Sequence, residues 1–160
     1  MRAKGWRARR PIGGVMIYND DFVWLHFPKC AGAKVERLFR AYLSGVPGLH
    51  QDPIDPKADQ ARVWHDSVAD REARDPSFSL GRRTVICSIR RLPAWLESRY
   101  NFECGRSPQL PHDPELLLEG RFLERNGFLN HADRYVQKFV PERLLADRDV
   151  QFLRTEHFEA

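Results

Sequence analysis

Cysteine is scarce: Cys30, Cys87 and Cys104 are the only three in 160 residues. They are too few and too scattered for a disulfide framework or a zinc site. A reducing, cytoplasmic compartment is therefore expected. No apolar run reaches the length of a membrane span, and no apolar core of a secretory signal stands near the N-terminus. Internal repeats and low-complexity stretches are missing too. What remains is 42% hydrophobic and 30% charged, a composition suited to a soluble globular chain. The length suits one domain with its own core.

Acidic residues are absent from positions 1–10, which hold five basic ones: Arg2, Lys4, Arg7, Arg9 and Arg10. The rest of the chain has 21 basic and 22 acidic side chains, so the net charge of +4 and the pI near 9.2 come from this tail. The expectation is a solvated, disordered leader over 1–15, with Met16 opening a single domain that runs to 160. A tail of this kind can also touch nucleic acid or anionic lipid. No nucleic-acid-specific element and no membrane span is expected.

Phe22-Val23-Trp24-Leu25-His26-Phe27, nearly all apolar and ended by Pro28, suits a strand buried on both faces of a parallel sheet. Val35, Leu38, Phe39, Tyr42 and Leu43 then repeat at helical spacing, and Gly45, Pro47 and Gly48 end that helix. Residues 46–62 read as a loop, with Val63-Trp64-His65 as a short strand. Ser67 and Asp70 stand at capping-box spacing before a further helix. Thr84–Ile89 is the second strong strand, followed by a helix from Pro93 through Tyr100 and Phe102. A proline-rich loop covers 104–114. Asp113-Pro114 forms an N-cap and first-turn pair that predicts a helix over 115–126. Ala132, Tyr135, Val136, Phe139 and Val140 predict another helix, and Val150–Leu153 a last strand. The alternation predicts an α/β fold with a mostly parallel central sheet flanked by helices.

Pro28-Lys29-Cys30-Ala31-Gly32-Ala33-Lys34 lies where the first strand gives way to a helix. Ligands of open α/β sheets bind outside the carboxyl ends of strands. A helix N-terminus there attracts anions through its N–H groups and dipole. Gly32 and the small Ala31 and Ala33 leave room for a phosphate to approach the backbone, and Lys29 adds a point charge. The order is not that of a Walker A loop, which needs a second glycine and a hydroxyl after its lysine.

The stretch from His26 to Lys34 resembles the 5′-phosphosulfate loop of sulfotransferases that use PAPS (3′-phosphoadenosine 5′-phosphosulfate). The form is closest to the carbohydrate (heparan/chondroitin) branch. The likeness continues at the end of the next strand, where Arg90 precedes Ser98 by eight residues and an aromatic, Tyr100, follows. That interval is the family's 3′-phosphate motif. Three departures stand out: Ala33 where the family has a hydroxyl, Trp95 where it has a second arginine, and a proline one place late relative to Arg90, which keeps Arg91 as the alternative anchor. The resemblance implies a P-loop-like, three-layer domain, with PAPS as donor and no metal. It implies a transfer of sulfonate to an acceptor hydroxyl, such as one on a glycan. Lys29 would stabilise the leaving phosphate, and the backbone of 30–34 would cradle the phosphosulfate. Arg90 and Ser98 would hold the 3′-phosphate. His65 is the candidate base, since an imidazole titrates near neutrality; Asp66 and Glu97 are weaker candidates. Glu156, in Arg154-Thr155-Glu156, would brace the nucleotide site. The Cys30 thiol, near a helix N-terminus and Lys29, has the setting of a reactive group, although the family implies no nucleophile there. Family members continue with further helices, so the domain is expected to be minimal or truncated at its C-terminus. Two other readings remain: a decayed module that binds a nucleotide or sulfated glycan without turnover, and a P-loop-like kinase.

Overall fold

The computed structural model describes residues 16–52 and 65–157. The leader over 1–15, most of the loop over 46–62, and Val63 and Trp64 of the expected short strand lie outside those residues. Five strands form the main sheet: β1 (Met16–Tyr18), β2 (Phe22–Leu25), β3 (His50–Gln51), β4 (Thr84–Ile89) and β7 (Val150–Arg154), in the order β3-β1-β2-β4-β7. β2, β4 and β7 pair in parallel. β1 pairs antiparallel with both β2 and β3, so it alone runs against the other four. A separate hairpin joins β5 (Arg121–Leu123) to β6 (Leu129–His131). The helices are α1 (Gly32–Tyr42), α2 (Val68–Arg74), α3 (Leu92–Arg106), α4 (Ala132–Phe139) and α5 (Glu142–Asp147). No helix among the described residues is long and apolar enough to cross a membrane.

Side chains alternate across a strand, and both faces of this sheet are apolar. Val23, Leu25, Val85 and Cys87 join Trp95 and Leu96 of α3, Phe122 of the hairpin, and Ala132 and Phe139 of α4 in the larger core. Ile17 and Trp24, whose neighbour Ile86 is half-buried, pack against Val35 and Phe39 of α1. Burial on both sides explains the nearly continuous apolar runs of β2 and β4. The Trp24 indole also donates to Ser88 Oγ at 3.1 Å, stitching β2 to β4 in the interior. The expected face of α1 is only partly covered: Val35 is buried, whereas Leu38 and Tyr42 are exposed.

The sheet's antiparallel end is fastened by a buried ion pair. Both terminal guanidinium nitrogens of Arg71, on α2, donate to the Asp52 carboxylate at 2.8 and 3.0 Å. Asp52 also accepts from the Met16 backbone at 2.9 Å. The capping box that starts α2 forms as read, with Asp70 N–H donating to Ser67 Oγ and Ser67 N–H donating back to Asp70.

The helix expected over 115–126 does not form. A 3-10 turn over Pro114–Glu119 is stopped by Gly120 in the left-handed region, at φ 72°. The chain then turns back as the β5–β6 hairpin through Gly127, at φ 78°. The Asp113 cap itself is real, its carboxylate accepting from Glu115 N–H at 2.9 Å.

Candidate active-site cleft

A cleft of about 940 Å³ opens where β2, β4 and β7 end. His26, Pro28 and Lys29 enter it from β2, Arg90 from β4, and Thr155 and Glu156 from β7. The far wall is built by α3, the hairpin and α4. Lys29, Gly32, Ala33, Lys34, Arg90 and Ser98 all line this one cleft, together with His65.

The loop after β2 is held in an uncommon backbone shape. Lys29 and Ala31 both have positive φ, 63° and 53°, a region that costs a non-glycine residue about 1–2 kcal/mol. Strain of this kind is kept where surrounding structure demands it. Here the demand comes from Trp95, whose indole donates to Pro28 O at 2.8 Å from the buried side. The position where the resembled motif has an arginine is thus a strut beneath the loop.

Ala31 caps α1 with no side-chain hydrogen bond, and no acidic residue stands in the first turn. The N–H groups of Cys30 and Lys34 are used inside the turn, donating to Phe27 O and Ala31 O. Those of Lys29, Ala31, Gly32 and Ala33 donate to no acceptor among the described residues. Of the amides that the resemblance assigns to a cradle over 30–34, those of 31–33 are left unused within the fold, as is that of Lys29 beside them. The Cys30 side chain is buried, and its thiol is pushed up to about 12, first by burial and then by Cys87. It has no nucleophilic character near neutrality.

Gly32 serves a second purpose. A Cβ placed on it would lie 1.8 Å from Nε2 of His26. That imidazole is buried, stacked on Trp24 at 5.4 Å between ring centres and edge-on to His65 at 4.8 Å. The missing side chain makes room for His26 as well as for any ligand.

His65 lies in coil, and its Nδ1 is 2.9 Å from His26 O. A carbonyl only accepts, so the proton is on Nδ1 and Nε2 is left as the acceptor. Burial pushes His65 down to about 4, helped by the positive charges of Arg99, Lys138 and Lys29. Burial, with the neighbouring His65, pushes His26 down to about 3. Both rings are therefore neutral in the folded state at pH 7. Protons enter the unfolded chain at the ordinary 6.5 but enter the fold only well below it. Their contribution is intact above pH 6.5 and is lost as the pH falls toward 4 and then 3. Urea unfolding between pH 7.5 and 4.5 is expected to show stability falling with acid, by about 1.4 kcal/mol per pH unit per imidazole at most. His65→Asn should flatten that slope; an unchanged slope would contradict the buried neutral ring.

The cleft is strongly positive. Eight lysines and arginines line it against three glutamates, whereas the chain beyond its tail is nearly balanced in charge. All three carboxylates are engaged. Glu103 pairs with Arg99 at 2.6 Å, and Glu124 accepts from Tyr135 Oη at 2.6 Å. Glu156 accepts from the Arg91 backbone at 2.7 Å, which holds its carboxyl below the usual range. Arg90 and the Ser98 hydroxyl make no hydrogen bond or ion pair among the described residues. Lys29, Arg99 and Arg106 gather on the Phe102 ring, at 4.5, 5.6 and 5.1 Å. Lys29 is held below the usual lysine range by burial first, then by Arg99 and Arg90. Such a set of cations with few counter-charges is built to receive an anion.

Arg91 lines a smaller neighbouring cavity and not the cleft, so Arg90 is the better placed of the two alternatives. Tyr100 is outside the cleft as well, its hydroxyl donating to His112 O at 3.3 Å. Asp66 is buried and paired with Arg74, and Glu97 is exposed; neither reaches the cleft. Sequence reasoning passed over the far wall. Arg99, Glu103 and Arg106 repeat at helical spacing on α3, and that periodicity of charge was the available signal. No protein-family model, curated protein or solved structure matches this chain.

Proposed function

We propose that the chain is a sulfotransferase that takes sulfonate from PAPS and passes it to an acceptor hydroxyl, with a glycan as the acceptor class. The fold is then read as a three-layer, P-loop-like variant of the α/β sheet. One observation carries the proposal: the Lys29 loop and the Arg90–Ser98 pair, about sixty residues apart, line a single cleft at the ends of adjacent parallel strands. The residues fit the donor. Unused N–H groups at 29 and 31–33 suit its phosphosulfate end, and Arg90 offers a forked set of donors for a ribose phosphate. The cleft volume is that of a nucleotide-sized site.

In this reading Lys29 and the uncapped amides meet negative charge as it builds on the departing phosphate. Nε2 of His65 accepts the proton of the attacking hydroxyl. Its low basicity suits that task better once an anion sits nearby, because added negative charge favours the protonated ring. The tyrosine and glutamates of the far wall keep Arg99 fixed and confine the site.

PAP (3′-phosphoadenosine 5′-phosphate) is expected to stabilise the protein against heat by about 2.7 kcal/mol at a hundredfold excess over Kd, with AMP giving far less. Lys29→Ala should fold normally and lose on the order of 10²–10³ in transfer rate. Equal stabilisation by AMP, or full activity in the variant, would overturn the proposal. Ala33 favours one competing reading. It is exposed at the mouth of α1 with no hydroxyl to offer, as in a module that binds without turnover. PAP binding with no transfer to any hydroxyl acceptor selects that reading. Metal-dependent hydrolysis of ATP would instead select a kinase-like one.

A further inference from the structure

The structure assigns Lys138 as a positioning residue for His65: one ammonium group on α4 fixes both the backbone of His65 and the cap of the helix that follows it. For its effect on catalysis the inference rests on the sulfotransferase reading; for its effect on His65 itself it does not.

Lys138 Nζ is 3.1 Å from the carbonyl oxygen of His65 and 3.1 Å from Asp70 Oδ2. The same Asp70 oxygen accepts from the backbone and hydroxyl of Ser67, at 2.9 and 2.8 Å. Lys138 is 46% exposed, so burial does not force it into this geometry. His65 is thereby gripped from two directions. Its ring is oriented by His26 O at the end of β2, and its main chain is tied to α4, 73 residues away. His65 has no regular secondary structure of its own to hold it. A group that must meet a hydroxyl within hydrogen-bonding reach gains most from such tethers, since small displacements are expensive in rate.

The groups facing His65 come from each surrounding element. They are the His26 ring from β2, Lys29 from the loop, Arg99 from α3 and Lys138 from α4. Its chain neighbour Asp66 is engaged by Arg74. Burial is the chief reason the imidazole is neutral, and Lys138 is one of three cations that add to it. Its removal has two separable consequences: a looser His65 and a ring that protonates at higher pH.

The test uses the full chain as wild type, Lys138→Met and Lys138→Arg. The His65 ring is followed by NMR through a pH titration, and sulfonate transfer from PAPS is followed over the same range. In Lys138→Met the titration of His65 is expected to move up while burial still holds it below 6.5, and kcat to fall about tenfold with little change in KM for PAPS. The acid limb of the rate profile should move up with the ring. Lys138→Arg should restore both. An unmoved His65 titration in Lys138→Met overturns the inference, as does loss of activity that Lys138→Arg fails to restore while PAP still binds. If no variant, wild type included, transfers sulfonate, the enzymatic reading fails while the NMR titration still decides the tether.

Discussion

Gly32→Ala is expected to be among the most damaging single-methyl changes available to this chain. The new Cβ would fall on the His26 ring, 1.8 Å from Nε2, so the ring must shift. Trp24 stacks on one side of it and His65 stands edge-on at another. Overpacking a well-filled interior costs about 1–3 kcal/mol, and a buried ring caught between two others belongs at the upper end. Because Gly32 opens α1 and contributes one of the unused amides, the same displacement should, on the proposed sulfotransferase reading, abolish stabilisation by PAP. Urea unfolding gives the first quantity and thermal shift the second. A double-mutant cycle with His26→Ala identifies the cause: removing the ring should recover part of the stability lost to Gly32→Ala, giving a coupling well above the 0.3–0.5 kcal/mol scatter of independent sites. Additive losses would show that the methyl does its harm elsewhere.

Arg71→Met is expected to cost about 3–5 kcal/mol, the range for stripping one partner from a buried ion pair. Asp52 would keep its Met16 amide and the His50 ring, both at 2.9 Å, but would lose its two strongest donors while 4% exposed. The damage should concentrate on β1 and β3, where Asp52 joins the first strand of the sheet to α2. Replacing both partners, as Asp52→Leu with Arg71→Met, should cost less than the single change, because no uncompensated charge is left behind. Denaturant midpoints of the three variants and the wild type decide it. A loss under about 1 kcal/mol for Arg71→Met would place the pair with exposed, weakly contributing bridges.

The parts of the fold that could be read from sequence are those where one physical signal dominates. β4 runs over Thr84–Ile89 as expected, because a buried parallel strand must be apolar throughout. α4 and the capping box of α2 follow from spacing alone. β1 and β3 are three and two residues long, too short to show any period, and are defined by their partners. The helix expected over 115–126 rested on a genuine N-cap. It was defeated by Gly120, and by Asn126-Gly127, a hairpin turn signal at the end of the supposed helix. The Asn126 side chain accepts from Phe128 N–H at 3.0 Å to close that turn. In the cleft, the strand-end residues Lys29, Gly32 and Arg90 were legible because topology fixes where such loops point. The roles of Trp95 and Lys138 were not. Each works through a main-chain carbonyl more than sixty residues away, and no local pattern encodes such a partner.

Those long spans also bear on how the molecule is made. The Trp95–Pro28 bond bridges 67 positions, the Glu156–Arg91 bond 65, and the Trp24–Ser88 bond 64. Closing loops of that size is an entropic toll levied before any contact rewards it. Glu156 follows Arg91 by 65 positions, so the turn carrying Arg90 acquires its brace only after that whole span has been made. Until then the nascent protein carries a basic, half-built cavity, and the third parallel strand of the sheet and the Glu156 brace arrive together.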